Sequence, residues 1–358
     1  ELSDKVAATE FDGYDNDVIE GAKVVAIVRN GESVESAAAG EDVEVVLDRT
    51  PFYAEMGGQQ GDAGELSAEG VALTVADTKN HNGLYAHVAH VAEGTLTVGA
   101  TVTAALDAER RGFLRRNHTA THLLDAALKQ VLGEHVSQAG SLVTPEHLRF
   151  DFTHFEALSS EQLKAVEDLV NQQIFASKPV VTRVMGIDEA KAAGAVALFG
   201  EKYGDVVRVV ECGEFSRELC GGCHVANTAE IGLVKITSET GVGANLRRIE
   251  AVTSFGALEY VNKVEAELKE TAAELRVPLF DVSERTAANM KALKEFQKTR
   301  KAAKTAISDD GVNMLLSAVK QAQGGYPVII SRVKIAQPGA MRNMWDVVRA
   351  RMETPGAV

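Results

Sequence analysis

Two short motifs, about a hundred residues apart, constrain the fold of this chain more than any other feature of its sequence. His118 and His122 lie four residues apart in the first motif, and Cys220 is followed by His224 at the same spacing in the second. Four residues of α-helix turn through about 400°, so both imidazoles of the first motif project from nearly the same face. A fold that brings the motifs together presents three imidazoles and one thiolate to a single ion, a ligand set suited to zinc.

The cysteine content favours a metal site over a disulfide framework. The chain has 3 cysteines, Cys212, Cys220 and Cys223. An odd number crowded into one stretch is poor material for disulfides. A redox pair is the competing interpretation, because Cys220 and Cys223 have Cys-x-x-Cys spacing. The upstream pair, His118 and His122, favours a metal site over a redox pair. Cys220 is the expected sulfur ligand, since Cys223 is adjacent to His224 and neighbouring side chains reach one ion with difficulty.

Length and composition indicate a multidomain protein without a membrane partner. A chain of 358 residues predicts about two to four packed units. It has neither a long apolar stretch nor a basic-then-apolar signal pattern, so we expect a cytoplasmic location. Its net charge of −14 argues against a broad basic surface, so nucleic-acid contacts would be local, through the arginine pairs at 110–111, 115–116 and 247–248. Because the first residue is Glu1 rather than methionine, we interpret the sequence as an excised piece of a longer protein.

The hydrophobic pattern of residues 1–255 predicts a β-barrel followed by an α+β domain. Residues 1–106 contain short apolar runs separated by Gly, Asn and Asp, which is typical of a small barrel. These runs lie at 22–28, 43–47, 71–76, 86–91 and 100–105. Within 107–255, Asp107 is the predicted N-cap of a helix that ends before Gly133. Ser159 and Gln162 predict the capping box of a second helix.

The pattern of residues 256–358 predicts helices followed by an incomplete domain. Residues 256–308 are a predicted helical hairpin or linker, interrupted by Pro278, whose apolar seams an antiparallel pairing would bury. Residues 309–358 predict a helix, a turn at Gly324 and Gly325, a strand at 328–335 and a helix at 339–352. That order corresponds to the start of an α/β domain. The predicted fold class is therefore α+β and multidomain.

The two motifs, with their flanking residues, resemble the zinc motifs of the alanyl-tRNA synthetase editing domain, which also occur in the free-standing AlaX proteins. The runs are NHTATHLL at residues 117–124 and ELCGGCHV at 218–225. Further blocks are similar to the family pattern at 48–55, 57–59, 61–62, 138–142, 148–152, 197–203 and 247–251. The resemblance covers about residues 20–255 in order. Residues 256–358 resemble the family only in their general organisation, a helical linker that leads into a C-terminal domain.

The resemblance implies a fold, a reaction and a partner. It implies a translation-factor-like β-barrel and an α+β editing domain that removes serine or glycine from tRNA(Ala) at a zinc site. The residues that carry over as zinc ligands are His118, His122, Cys220 and His224. Those that carry over as catalytic-pocket residues, which meet the misplaced amino acid, are Thr121, Gln138 and Ser141. Thr121 lies on the first helix, and the other two lie in a predicted loop after Gly133. The implied partner is the acceptor end of tRNA(Ala). The full-length parent would attach alanine using ATP, and a homodimer through its C-terminal region stays open.

Two departures from the family pattern and several alternatives accompany this resemblance. Cys223 stands where the family usually has threonine, and residues 243–245 differ from the usual Ala-Ala-Gly. Four protein ligands make a closed site, whereas catalytic zinc usually keeps one position open. Either one ligand is long or absent, or the ion becomes five-coordinate and holds the substrate amino group. The alternative functions are a free-standing AlaX-type deacylase and a non-catalytic zinc-stabilised module for tRNA binding or oligomerisation.

The remaining polar residues carry weaker signals. On charge alone, Arg247 and Arg248 indicate a solvated face or ion pairs rather than a phosphate site. His135, His147 and His154 have no partner at ligand spacing, and we interpret them as surface or packing residues.

Overall fold

The computed structural model describes residues 6–197, 203–305, 309–333 and 338–352. The chain divides into two compact units, residues 1–263 and 264–358. The finer division into four domains stays a prediction. No helix in the described ranges is both long and apolar enough to cross a membrane.

The N-terminal part of the first unit is a closed antiparallel β-barrel. Its strands are β1 (Glu10–Phe11), β2 (Val18–Arg29), β3 (Glu32–Val34), β4 (Ser36–Ala38), β5 (Asp42–Leu47), β6 (Arg49–Thr50), β7 (Gly64–Ala68), β8 (Val71–His81), β9 (Leu84–Glu93), β10 (Thr95–Thr97) and β11 (Thr101–Leu106). Six of them pair in the order β11-β7-β8-β9-β5-β2, and β11 pairs back with β2 to close the barrel. The predicted small barrel is confirmed.

Alternation of apolar and polar residues explains why these strands enclose a core. Inward side chains such as Val43, Val45, Leu73 and Val75 are fully or almost fully buried, while the intervening Glu44 and Thr74 are more exposed. Four of the five apolar runs predicted from the sequence lie within strands, and the fifth, 100–105, begins one residue before β11. Strand β7 (Gly64–Ala68) was not predicted, because Leu66 is the one buried apolar residue in this short run of small and polar residues.

The rest of the first unit is an α+β arrangement built on two sheets. Its elements are α1 (Ala108–Leu132), β12 (Gln138–Val143), β13 (Leu148–Thr153), α2 (Ser160–Phe175), β14 (Val180–Gly186), α3 (Ile187–Ala192), β15 (Val206–Cys212), β16 (Ser216–Leu219), β17 (Val234–Gly243) and β18 (Leu246–Thr253). The four-stranded sheet has the order β12-β13-β18-β17, and the three-stranded sheet has the order β14-β15-β16. Apolar residues of α1, α2 and the four-stranded sheet form one buried core.

The ends of α1 and α2 agree with the sequence, but one strand does not. The Asp107 side chain accepts a hydrogen bond from the Arg110 backbone at the start of α1, and Gly133 follows its last residue. Ser159 and Gln162 form the predicted capping box of α2. The predicted loop after Gly133 is wrong, since residues 138–143 form β12. This run is small and polar and lacks strand alternation, and it becomes a strand by pairing with the apolar β13.

The remaining elements are mostly helical. They are α4 (Ser254–Leu275), which contains the boundary between the units, α5 (Val282–Thr305), α6 (Asp309–Ser317), β19 (Val319–Gln321), β20 (Pro327–Ile329) and α7 (Pro338–Arg351). The predicted break near Pro278 is confirmed, because α4 ends and α5 begins on either side of it. The predicted strand at 328–335 lies partly outside the described residues. Of its described residues, only Val328 and Ile329 lie in a strand, β20, which pairs with β19 as an antiparallel hairpin. Gly324 and Gly325 both adopt positive φ and reverse the chain between the two strands.

The predicted burial of the apolar seams on α4 and α5 is wrong. Val264 and Leu268 on α4, and Met290, Leu293 and Phe296 on α5, are exposed. Within the described residues, α4 and α5 do not pack along each other, so neither helix covers the apolar stripe of the other. An apolar stripe without a packing partner stays exposed.

Candidate metal centre

Helix α1 holds the first two candidate ligands. His118 and His122 are buried on one face of the helix, and their ring centroids lie 5.3 Å apart. The i, i+4 spacing stacks the two side chains on successive turns. The predicted relation between these imidazoles is therefore confirmed.

The segment after β16 brings two further ligands to the same place. Cys220 Sγ lies 3.4 Å from His118 Nε2 and 3.3 Å from His224 Nε2. The candidate ligand atoms of His118, His122, Cys220 and His224 all lie within 4.8 Å of one another. Tetrahedral coordination by nitrogen and sulfur at zinc distances places ligand atoms roughly 3.5 Å apart. The donor set and its spacing thus fit a zinc-like ion.

One hydrogen bond to each ring fixes the tautomers of His118 and His224. The Thr119 hydroxyl donates to the Arg115 carbonyl at 2.8 Å, so it accepts from His224 Nδ1, which lies 3.1 Å away. Gln59 Oε1 accepts from the Cys223 backbone N–H at 2.9 Å and from His118 Nδ1 at 2.7 Å. With a proton on each Nδ1, both rings present the lone pair of Nε2 to the centre of the cluster.

The third imidazole has a carboxyl neighbour instead. His122 Nδ1 lies 3.6 Å from Glu218 Oε2, which is too far for a hydrogen bond. No described residue forms a hydrogen bond with this nitrogen. Glu218 is buried and accepts a hydrogen bond from the Ser216 hydroxyl at 2.9 Å. A carboxylate behind a metal-bound histidine is a common outer partner, so Glu218 fits that role.

Burial sets the protonation of the four candidate ligands. Burial, followed by the charges of neighbouring side chains, holds the pKa values of His118 and His224 well below their ordinary range. Burial likewise lowers the pKa of His122 to about 3 and raises the pKa of the Cys220 thiol to about 12. At neutral pH the imidazoles are neutral and ready to bind, and the thiol has to lose a proton when metal binds.

Gly222 makes the close approach of the two motifs feasible. A Cβ at this position would lie 2.0 Å from Cε1 and 2.3 Å from Nδ1 of His118. Neither Gly221 nor Gly222 has a positive φ. The requirement for glycine is therefore space beside the His118 ring.

The cluster borders a cavity of about 310 Å³ that also contains the predicted pocket residues. Of the ligands, His118, His122 and Cys220 line this cavity, and Thr121, Gln138 and Ser141 line it with them. The Thr121 hydroxyl donates to the Asn117 carbonyl at 2.9 Å. The side-chain amide of Gln138 and the hydroxyl of Ser141 make no hydrogen bond within the part of the chain that the structure describes. His224 lies on the other side of the cluster and borders a second cavity.

Several residues predicted from the sequence lie outside this centre. Cys223 is buried and is not a member of the four-residue cluster. Arg247 pairs with Glu239 at 2.5 Å and Arg248 with Asp151 at 2.6 Å, which confirms the ion-pair interpretation.

Nucleic-acid contact through Arg111 is a wrong expectation. Its guanidinium is fully buried, pairs with Asp62, and donates to the carbonyls of Gly13 and Pro51. A buried arginine requires such partners, and this one joins α1 to the barrel.

The prediction that His135, His147 and His154 are surface or packing residues is confirmed, since His135 is exposed, His147 is partly buried and His154 is buried. His135 and His154 lie 2.8 Å apart between Nε2 and Nδ1 and stack on Phe155, and His147 contacts Thr144.

Gln59, Thr119 and Glu218, which contact the candidate ligands from outside the cluster, were not predicted as functional residues. All three lie inside blocks that carried the resemblance, yet their contacts depend on the fold.

Comparisons with known proteins identify the class of this chain and then its family. The model of class II (A) tRNA synthetases matches residues 1–110, and the model of the threonyl and alanyl tRNA synthetase second additional domain matches residues 207–250. Two parts of the chain thus match models of class II tRNA synthetases and of a domain that threonyl and alanyl tRNA synthetases share. It is 46% identical over 352 residues to the alanine–tRNA ligase of Bacillus velezensis and 47% identical over 347 residues to that of Shewanella amazonensis. The chain belongs to the alanyl-tRNA synthetase family.

These alignments cover 98% and 97% of the chain, but only 40% of each relative. The alanine–tRNA ligase of Bacillus subtilis, 45% identical, gives the same coverage of 98% and 40%. The chain therefore spans about 40% of the length of the curated relatives it matches.

Proposed function

We propose that this chain is the editing part of an alanine–tRNA ligase and hydrolyses Ser-tRNA(Ala) and Gly-tRNA(Ala) at a zinc site. The observation that carries this proposal is the cluster of His118, His122 and Cys220 in the wall of a cavity with free polar side chains. The parent ligase would attach alanine to tRNA(Ala) with ATP in the cytoplasm. The partner of this chain is the acceptor end of that tRNA.

The cavity residues have distinct tasks in this proposal. Zinc, when bound, supplies Lewis-acid chemistry at the edge of the cavity. Gln138 offers a donor and an acceptor to a serine hydroxyl, and the Thr121 oxygen, whose proton goes to Asn117, offers an acceptor. Ser141 adds a third polar group on β12. Together they bind and orient the amino acid beside the metal ligands.

The test is deacylation by the purified chain. We expect release of serine and glycine from tRNA(Ala) much faster than release of alanine, and near-unit zinc content after loose metal is removed. Cys220→Ala should lose both zinc and hydrolysis, because it removes the one sulfur ligand of the cluster. Cys223→Thr is the matched control and should keep both.

Two results would overturn this proposal. Hydrolysis at the wild-type rate by a chain that holds no zinc would exclude the metal mechanism. Stoichiometric zinc without hydrolysis of either ester would favour the non-catalytic tRNA-binding module.

A further inference from the structure

Three consecutive carbonyl groups of the metal-binding segment each accept a hydrogen bond from a side chain. Arg208 Nη1 donates to the carbonyls of Cys220 at 2.9 Å and Gly222 at 2.8 Å. The Tyr14 hydroxyl donates to the carbonyl between them, Gly221, at 2.6 Å. Irregular backbone has no strand or helix partners for these groups, so the two side chains take their place.

Arg208 and Tyr14 also contact each other directly. The guanidinium carbon of Arg208 lies 4.1 Å from the centroid of the Tyr14 ring, a cation–π geometry. Phe11 contacts the same tyrosine edge-to-face, with the ring centroids 4.8 Å apart. Arg208 Nη2 donates to the Thr182 hydroxyl at 3.3 Å, which anchors the guanidinium on the three-stranded sheet. The planar guanidinium fixes the direction of its donors, which a lysine ammonium does not do.

We propose that Tyr14 and Arg208 form a clamp that positions the segment 220–224 so that Cys220 and His224 meet the imidazoles of α1. Neither residue offers a ligand atom to the cluster, so both are positioning residues. The inference rests on the metal centre of the proposed function. It does not depend on which ester, if any, the chain hydrolyses.

The segment's own contacts explain why such a clamp is needed. Among the described residues, its one hydrogen bond to another backbone group is the bond from the Cys220 N–H to the Arg208 carbonyl at 3.0 Å. Gly221 and Gly222 carry no side chains that could fix the turn. A shift of a few tenths of an ångström would move Cys220 Sγ away from tetrahedral distances, which vary by only about 0.2 Å in metal sites.

The experiment measures metal binding in the full chain without tRNA. The variants Tyr14→Phe, which removes one hydroxyl, and Arg208→Lys, which keeps the charge, are compared with the parent chain. Matched controls are Tyr85→Phe, another tyrosine whose ring contacts Phe11, and Arg183→Lys, an exposed arginine on the neighbouring strand β14. Zn²⁺ affinity is obtained by competition with a chromogenic chelator. The absorption of Co²⁺ in the same site reports on the geometry of the sulfur and nitrogen ligands.

We expect Tyr14→Phe and Arg208→Lys to weaken Zn²⁺ binding about 10- to 100-fold, as the loss of outer partners does in other metal sites. The sulfur-to-cobalt charge-transfer band should shift in both variants, and the melting temperature of the metal-free protein should stay at the parent value. Both controls should bind like the parent. Affinities within twofold of the parent with an unchanged Co²⁺ spectrum would overturn the clamp. A metal-free melting temperature that falls in step with affinity would also overturn it, because the residues would then support only the general fold.

Discussion

At the scale of single residues, the metal centre combines ligands that the sequence names with partners that it does not. Spacing predicted His118 and His122 on one helical face, because helical geometry is local. Gln59 fixes the tautomer of His118 from 59 positions away in sequence. Only the tertiary fold decides such a contact, and no periodicity in the sequence encodes it.

Gln59→Ala should weaken metal binding about 10- to 100-fold, since His118 Nδ1 loses its acceptor and the ring is free to rotate. Gln60→Ala is the natural control, because Gln60 contacts β12 through its backbone N–H. Isothermal titration of the metal-free variants with Zn²⁺ measures the difference. Equal affinities for the two variants would show that the tautomer is set in another way.

Discrimination between serine and alanine should depend on Gln138 and Thr121. Alanine lacks only the serine hydroxyl, so the cavity has to reward that group with hydrogen bonds. Gln138→Ala and Thr121→Val should each reduce the ratio of serine to alanine hydrolysis about five- to thirtyfold, corresponding to about 1–2 kcal/mol per hydrogen bond. Zinc content should stay at the parent value. If both rates fall together at a constant ratio, these side chains only support the fold.

At the scale of elements, strong local signals predicted well and pairing-dependent ones did not. Asp107 and Gly133 bound α1 as the sequence indicates, since caps act within a few residues. Strand β12 was predicted as a loop, because its small polar residues gain strand structure only from β13 beside them. The predicted site residues Gln138 and Ser141 therefore sit on a rigid sheet edge, a better platform for recognition than a mobile loop.

The segment after β16 gives a sharp test of its packing against α1. Gly222→Ala should abolish or strongly weaken metal binding, because its Cβ would overlap the His118 ring. Gly221→Ala is the matched control, since its Cβ would meet only the flexible Met56 side chain, at 3.2 Å. Elemental analysis of both purified variants gives the answer. Parent-like zinc content in Gly222→Ala would mean that the segment can move without losing the centre.

At the scale of the whole molecule, the barrel and the α+β part share one compact unit and are joined at α1. The buried pair of Arg111 and Asp62 lies at this junction. Breaking such a pair on one side leaves an uncompensated charge and costs about 3–5 kcal/mol. The barrel therefore contributes to the stability of the helix that carries His118 and His122.

Acid should weaken the barrel through His87. Burial lowers the pKa of this histidine to about 4, and its ring contacts the Val45 carbonyl and the Thr50 hydroxyl. Since the folded pKa lies below the ordinary 6.5, stability is complete above pH 6.5 and is lost as the pH falls towards 4. The contribution of His87 to the loss of stability from pH 7 to pH 5 should be about 2 kcal/mol. Urea unfolding at both pH values should show it, and His87→Gln should reduce it.

The matched control is His90→Gln, which makes the same substitution at an exposed histidine of the same strand, β9. An unchanged difference between pH 7 and pH 5 in His87→Gln would assign the acid sensitivity to other groups.

The long-range partners of the metal centre limit how far it can be transplanted. A segment from Asp107 onward would contain every candidate ligand, yet it would lack Tyr14 and Gln59, which contact the Cys220 segment and the His118 ring. It would also lack Asp62, the partner of Arg111. Grafting the proposed editing centre onto another protein therefore requires the barrel side of the interface as well. A designer who moves only the ligand motifs should obtain a weak and heterogeneous metal site.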